Sequence, residues 1–163
     1  DNVPAAVPPI DEIPPIEFGT WEILRRGSGL AILAVGTMVQ PALDAARILA
    51  AQGIDATVVN CRFLKPVDEA TLSWVAERHA AVLTVEEGTI VNGFGAYIAR
   101  LIEEMAGDDP APRLDTMGVP DRFIEHATRK EQLEEVGLTA EGIAARGLAL
   151  AERAALSAVR ETA

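Results

Sequence analysis

Apolar residues occur along this chain in two kinds of run. Leu30 to Val35 is apolar at every position. A strand covered on both faces reads that way, as parallel sheets with helices on both sides require. Ala56 to Phe63, rich in Thr and Val, and Ala81 to Glu86 are predicted as two further strands. Arg113 to Val119 is predicted as a last short one, and Trp21 to Leu24 as an edge strand closed by Gly27-Ser28-Gly29. Between the strands apolar residues recur at helical spacing. Val39, Leu43, Ala46, Leu49 and Ala50 mark one buried stripe, with Thr37 as its cap, Pro41 in the first turn and Gly53 at its end. A helix from about Val67 carries Leu72, Val75, Ala76 and His79 on one face. Another shows Phe94, Ile98, Leu101, Ile102 and Met105 before Pro110 and Pro112 break it. Thr128-Arg129-Lys130-Glu131 has the pattern of a capping box for a short helix that Gly137 stops. A long Ala/Leu-rich helix then fills Glu141 to about Arg160.

Strands alternating with helices are the grammar of an α/β fold, and right-handed crossovers make its sheet parallel. The expectation is a three-layer α/β/α domain with a mostly parallel, about five-stranded sheet. Pro4, Pro8, Pro9, Pro14 and Pro15 crowd the first fifteen residues. Proline fixes φ and donates no backbone hydrogen bond, so residues 1–15 read as an extended linker and 16–163 as the domain. The opening Asp1-Asn2-Val3 has neither Met nor a basic and apolar leader. A signal peptide is not expected, and a piece of something longer is.

Charge and cysteine content narrow the function. The 163 residues carry a net charge of −11. Nucleic acid and anionic membrane surfaces both require clustered Lys and Arg, so neither is an expected partner. The one cysteine, Cys61, excludes an intrachain disulfide and a cysteine-based zinc site. It reads as buried and inert, which fits a cytoplasmic protein. No apolar run approaches the roughly 20 residues of a membrane span.

Candidate chemistry lies where strands end. Gly36-Thr37 closes a buried strand and opens a helix, the edge where α/β sheets hold ligands, but neither GxGxxG nor GxxxxGK[ST] accompanies it. A turn and a cap account for it. Glu86-Glu87 ends another strand, and successive strand residues point to opposite faces. One carboxylate is expected in the crevice and the other against a helix or subunit, in a structural or interface role rather than catalysis. Gly93 and Gly95 permit close approach of a packed helix or a ligand. His79 reads as a helix-end residue. Asp121, Arg122 and His126 fall in a loop dense in charge and apolar bulk, with Arg122 open to an interface pair or an anion. No nucleophile–base arrangement is legible, and no residue is assigned to catalysis, cofactor or metal.

Several stretches together resemble one family. They are Leu30 to Met38, Val58-Val59-Asn60-Cys61-Arg62-Phe63-Leu64-Lys65-Pro66-Val67-Asp68, Val82 to Gly88, Gly93-Phe94-Gly95, and Gly118-Val119-Pro120-Asp121-Arg122-Phe123-Ile124-Glu125-His126. Their order and spacing resemble the C-terminal domain of the 1-deoxy-D-xylulose-5-phosphate synthases, within the transketolase-like group, from about Ile16 to Ile143. Asn92 departs from the family's usual glycine, and Ala127-Thr128 from its usual Gly-Ser. The resemblance implies a parent enzyme that condenses pyruvate with glyceraldehyde 3-phosphate, releasing carbon dioxide, using thiamine diphosphate and magnesium. It feeds isoprenoid and thiamine synthesis. Those groups belong to two preceding domains, whose motifs are not in this chain. The chain alone is then expected to bind no cofactor, to be inactive, and to support a homodimer by packing on those domains. Glu86, Glu87, Gly93, Gly95, Asp121, Arg122 and His126 are its candidate contacts. The alternatives are the same domain of another transketolase-like enzyme, or a free-standing α/β ligand-binding or regulatory module.

Overall fold

The computed structural model describes residues 8–161. Five strands form one sheet: β1 (Glu22–Arg25), β2 (Leu30–Ala34), β3 (Ala56–Asn60), β4 (Ala81–Thr89) and β5 (Arg113–Val119). Their order across the sheet is β1-β3-β2-β4-β5. The pairs β2–β3, β2–β4 and β4–β5 are parallel, and β1 runs antiparallel to β3 at the edge. Five helices cover it: α1 (Val39–Ala51), α2 (Glu69–Arg78), α3 (Phe94–Ala106), α4 (Arg129–Glu135) and α5 (Ala140–Glu161). The expected three-layer fold is present.

The all-apolar β2 explains the layering. Leu30, Ile32 and Ala34 face a core with Ala42, Ala46 and Leu49 of α1 and Ile143 and Leu150 of α5. Ala31 and Leu33 face the opposite core, with Leu72 and Val75 of α2 and Phe94, Ile98 and Ile102 of α3. Gly147 lets α5 come close, because a Cβ there would lie 2.8 Å from Leu30 Cδ2. The capping box of Thr128 and Glu131 forms as expected.

Several boundaries differ from the pattern. The stripe of α1 is shifted: Ala42, Ala45, Ala46 and Leu49 are buried, while Ala50 is exposed. Thr37 does not cap α1. A turn of 3-10 helix (Gly36–Met38) intervenes, Met38 occupies the cap position, and no side chain bonds there. Met105 is exposed at the end of α3. β3 stops at Asn60 rather than Phe63, and β4 continues to Thr89 because it keeps pairing with β5 past an irregularity between Val85 and Thr89. His79 is more than a helix-end residue. It is buried, with Nε2 2.9 Å from Thr57 Oγ1 and Nδ1 3.0 Å from Val75 O, so it ties α2 to β3. Of the proline-rich start, residues 1–7 lie outside the described residues, and a short 3-10 turn (Ile10–Glu12) follows.

Candidate functional site

Strand order sets where a site could be. The chain goes from β2 outward to β3, then crosses back to β4 on the other side of β2. The order therefore reverses between β2 and β4, and open α/β sheets bind ligands at the carboxyl ends of the strands flanking such a point. The segments there are Gly36–Met38 after β2 and the end of β4 from Glu86 to Gly93. Both had been singled out by sequence.

Side chains of the protein itself engage the polar groups at this edge. Glu86 points inward and is 7% exposed. Its carboxylate accepts the backbone N–H of Phe94 at 3.1 Å and of Gly95 at 2.9 Å, the first two residues of α3. No side chain caps α3 from Gly93, so a carboxylate eight residues earlier supplies what a Ser or Asp would normally give. Glycines make the room. A Cβ on Gly88 would lie 2.7 Å from Glu86 Oε2, and one on Gly93 would lie 2.7 Å from Oε1. Asn92, the departure from the family's glycine, takes φ +56°, a left-handed conformation that Asn tolerates better than most residues.

Glu87 points the other way. Its carboxylate accepts Arg129 Nε at 2.8 Å and Arg129 Nη2, and Thr37 Oγ1 donates to it at 2.6 Å. The hydrogen bonds from Arg129 and then Thr37, with the Arg129 charge, hold Glu87 below the usual carboxylate range against a slight desolvation. A carboxylate so committed is a poor proton carrier at neutral pH. The two adjacent carboxylates are thus split between faces, as alternation requires. Arg129, which sequence reasoning did not single out as functional, clamps α4 across the crevice.

Other singled-out residues scatter. Gly95 is buried against the sheet, where a Cβ would lie 2.7 Å from Thr116 Cγ2 and would also strike Thr84 Oγ1. Thr84 Oγ1 is a buried side-chain oxygen without a hydrogen-bond partner among the described residues. Asp121, Arg122 and His126 are exposed on the loop after β5, and Arg122 bonds Glu135 at 2.6 Å rather than Asp121. Cys61 is fully buried, and burial, with the Asp68 charge adding, pushes its thiol well up.

The Arg62-to-Asp68 stretch builds the place where the chain comes in. Trp21 N donates to Asp68 Oδ2 at 2.8 Å, Thr71 N to Asp68 Oδ1 at 2.9 Å, and Trp21 Nε1 to Phe63 O at 2.8 Å. Arg62 Nη2 donates to Thr20 Oγ1 at 2.9 Å. Burial, the largest single influence, favours a higher Asp68 pKa. The hydrogen bonds from Trp21 and Thr71 outweigh it and hold this carboxyl low. Asp68 therefore caps α2 and fixes the start of β1 together.

Neither Glu86 nor the start of α3 is free to hold a diphosphate. The α3 amides that could receive a phosphate already receive Glu86. No group of three or more His, Cys, Asp or Glu poised to hold a metal occurs among the described residues. No helix among them is long and apolar enough to cross a membrane.

Comparison with known proteins identifies the family. Residues 19–143 match the family described as transketolase, C-terminal domain. A 1-deoxy-D-xylulose-5-phosphate synthase of Geobacillus thermodenitrificans is 44% identical over 140 residues, 86% of this chain and 22% of that one. One from a Synechococcus species is 48% identical over 132 residues, 81% of this chain and 20% of that one. The chain thus spans about a fifth of the length of these relatives. Among solved structures, a split-gene transketolase in an inactive β4 tetramer superimposes with a TM-score of 0.74 at 36% identity, over 83% of this chain and 44% of that one. Pichia stipitis transketolase gives 0.61 at 25% identity, over 82% of this chain and 18% of that one.

Proposed function

The chain belongs to the family of transketolase C-terminal domains, and we propose that it is the C-terminal domain of a 1-deoxy-D-xylulose-5-phosphate synthase that condenses pyruvate with glyceraldehyde 3-phosphate. Its part is architectural: it packs on the domains that bind thiamine diphosphate and magnesium and supports their dimer. When bound there, the cofactor supplies the nucleophile and the electron sink for decarboxylation. No step of that chemistry runs through residues of this chain.

One observation carries the division of labour. At the edge where an α/β sheet would take a ligand, Glu86 occupies the α3 amides, and Glu87 is already paired with Arg129 and Thr37. The two synthase relatives, both above 40% identity, support the parent's identity. A buried, unpaired thiol at Cys61 supports a cytoplasmic setting.

The test is product formation from pyruvate and glyceraldehyde 3-phosphate, with thiamine diphosphate and magnesium, by this chain alone and mixed with the matching N-terminal portion. Silence alone and turnover on mixing are the expected results. Turnover by the chain alone refutes the division of labour. A mixture that accepts ketose phosphates but not pyruvate assigns the chain to another transketolase-like enzyme.

A further inference from the structure

Four of the exposed large apolar side chains share one end of the sheet. β2, β3, β4 and β5 are parallel, so the loops after them emerge together, and the antiparallel β1 starts at that same end. Leu64 follows β3, Val91 follows β4, Phe123 follows β5 and Phe18 precedes β1. Phe123 is fully exposed at 101% and Phe18 is 76% exposed, with Leu64 and Val91 about half so. Beside Phe123 a 170 Å³ cleft is lined by Val119, Ile124, Leu133 and Val136, with Glu87 and Arg129 also in its wall. In the loop that carries Phe123, Asp121, Arg122, Glu125 and His126 are all exposed. An exposed aromatic flanked by charged side chains is the kind of anchor a docking surface uses.

We propose that this carboxyl edge, with Phe123 as its anchor, is the face that docks on the preceding domain of the same polypeptide. The inference rests on the reading of the chain as one domain of a larger synthase. Two observations select that occupant over a second copy, and a third speaks against a small ligand. The chain comes in at this very edge, where Phe18 packs edge-on against Phe63 at 5.5 Å between ring centres and Asp68 holds Trp21 N. Whatever precedes the domain is therefore tethered at this end of the sheet, on its β1 side, and a tether raises its effective concentration to about the millimolar range, enough for a modest apolar surface to close. The relatives are about five times longer than the matched stretch, which supplies the mass to cover it. Glu86 and Asp68, both at this edge, spend their carboxylates building it, so neither is free to hold a small ligand. The contact is thereby narrowed from the seven sequence candidates. Glu86 and Gly95 are buried and shape the edge from within, whereas Phe123, Val91, Leu64 and Phe18 present it.

The experiment is hydrogen exchange on the full-length polypeptide carrying this domain, in the wild type, in Phe123→Asp, and in Leu156→Asp at the opposite end of the sheet. Phe123 touches little within the domain, so its replacement leaves the core intact. The expected result is exchange about tenfold faster in segments 89–93 and 119–127 of F123D, unchanged exchange in β2, and no such change in L156D. The wild-type protection persists on dilution to monomer. Equal exchange in F123D and wild type overturns the proposal, as does an equal response in L156D. Protection lost on dilution overturns it too, in favour of a second copy. Turnover of pyruvate and glyceraldehyde 3-phosphate is read on the same wild-type preparation. Its absence refutes the enzymatic assignment, while the exchange pattern decides the docking face separately.

Discussion

Replacing Glu86 by Gln keeps the shape of the side chain and removes its charge, so it isolates what the carboxylate does for α3. Two buried amides donate to it, at 3.1 Å from Phe94 and 2.9 Å from Gly95. A hydrogen bond to an ionised acceptor contributes roughly 1.5–3 kcal/mol, against roughly 0.5–1.5 for a neutral one. Glutamine offers one carbonyl oxygen and turns its NH2 toward the other amide. One bond weakens by about 1 kcal/mol, and the other is lost with a buried N–H left unpaired, at about 1–3 kcal/mol. The helix dipole loses a further few tenths, roughly 0.3–1 kcal/mol. Relief from burying a charge offsets part of this. The net expectation is a loss of about 2–4 kcal/mol from a total of order 5–15. For a domain of this size that lowers Tm by roughly 5–15 °C. Urea unfolding of E86Q and wild type at pH 7, followed by circular dichroism, gives the difference directly, and Glu86→Ala should lose more. An E86Q midpoint equivalent to less than about 0.5 kcal/mol of change means that Glu86 does not hold the start of α3.

Three further outcomes follow from neighbouring contacts. Gly95→Ala sets a methyl 2.7 Å from Thr116 Cγ2 and costs about 1–3 kcal/mol by chemical denaturation, outweighing the gain of roughly 1 kcal/mol in helix propensity; a variant as stable as wild type refutes the close approach. Thr84→Val replaces an unpartnered buried hydroxyl by a methyl of the same size and raises stability by about 1 kcal/mol; a loss instead means that the hydroxyl is bonded. Asp115 accepts Arg146 Nε at 2.7 Å and Arg153 Nη2 at 3.1 Å, joining β5 to α5. Burial is the largest single influence and favours a higher pKa, but the bonds and charge of Arg146 outweigh it and hold Asp115 low. Its stabilising contribution is therefore full above the ordinary Asp value near 4 and disappears as pH falls through the lowered one. Asp115→Asn should cost about 1 kcal/mol at pH 7 and flatten the decline of stability below pH 4; an unchanged acid limb counts against the pairing.

The sheet was legible because β2 is apolar at every position, and only a strand covered on both faces needs that. Arg113–Val119 was placed to the residue because prolines fence it off. The ends of β3 and β4 were not legible, since they depend on which neighbour keeps pairing. β4 runs on to Thr89 only because β5 is there to accept it. Thr37 was misplaced because a Thr after a strand reads as a cap, while a 3-10 turn carries its hydroxyl across to Glu87. The division of Glu86 and Glu87 between two faces follows from strand alternation and was read correctly. What each one binds was not. A signal for Glu86 did exist: Gly93 opens α3 with no side chain able to cap it, and a carboxylate ends the strand just before. Arg129 looked like an ordinary member of a capping box, and only the fold brings it to Glu87.

The pairing of α1 with α5 has a consequence for synthesis on the ribosome. The two helices close the same apolar face of β2, yet about ninety residues separate the end of α1 from the start of α5, which is roughly 5–20 s of translation at 5–20 residues per second. During that interval α2 and α3 can already cover the opposite face, because they emerge in order beside their strands. The nascent domain therefore has one finished side and one greasy side, and it is a substrate for chaperones until its last helix leaves the exit tunnel.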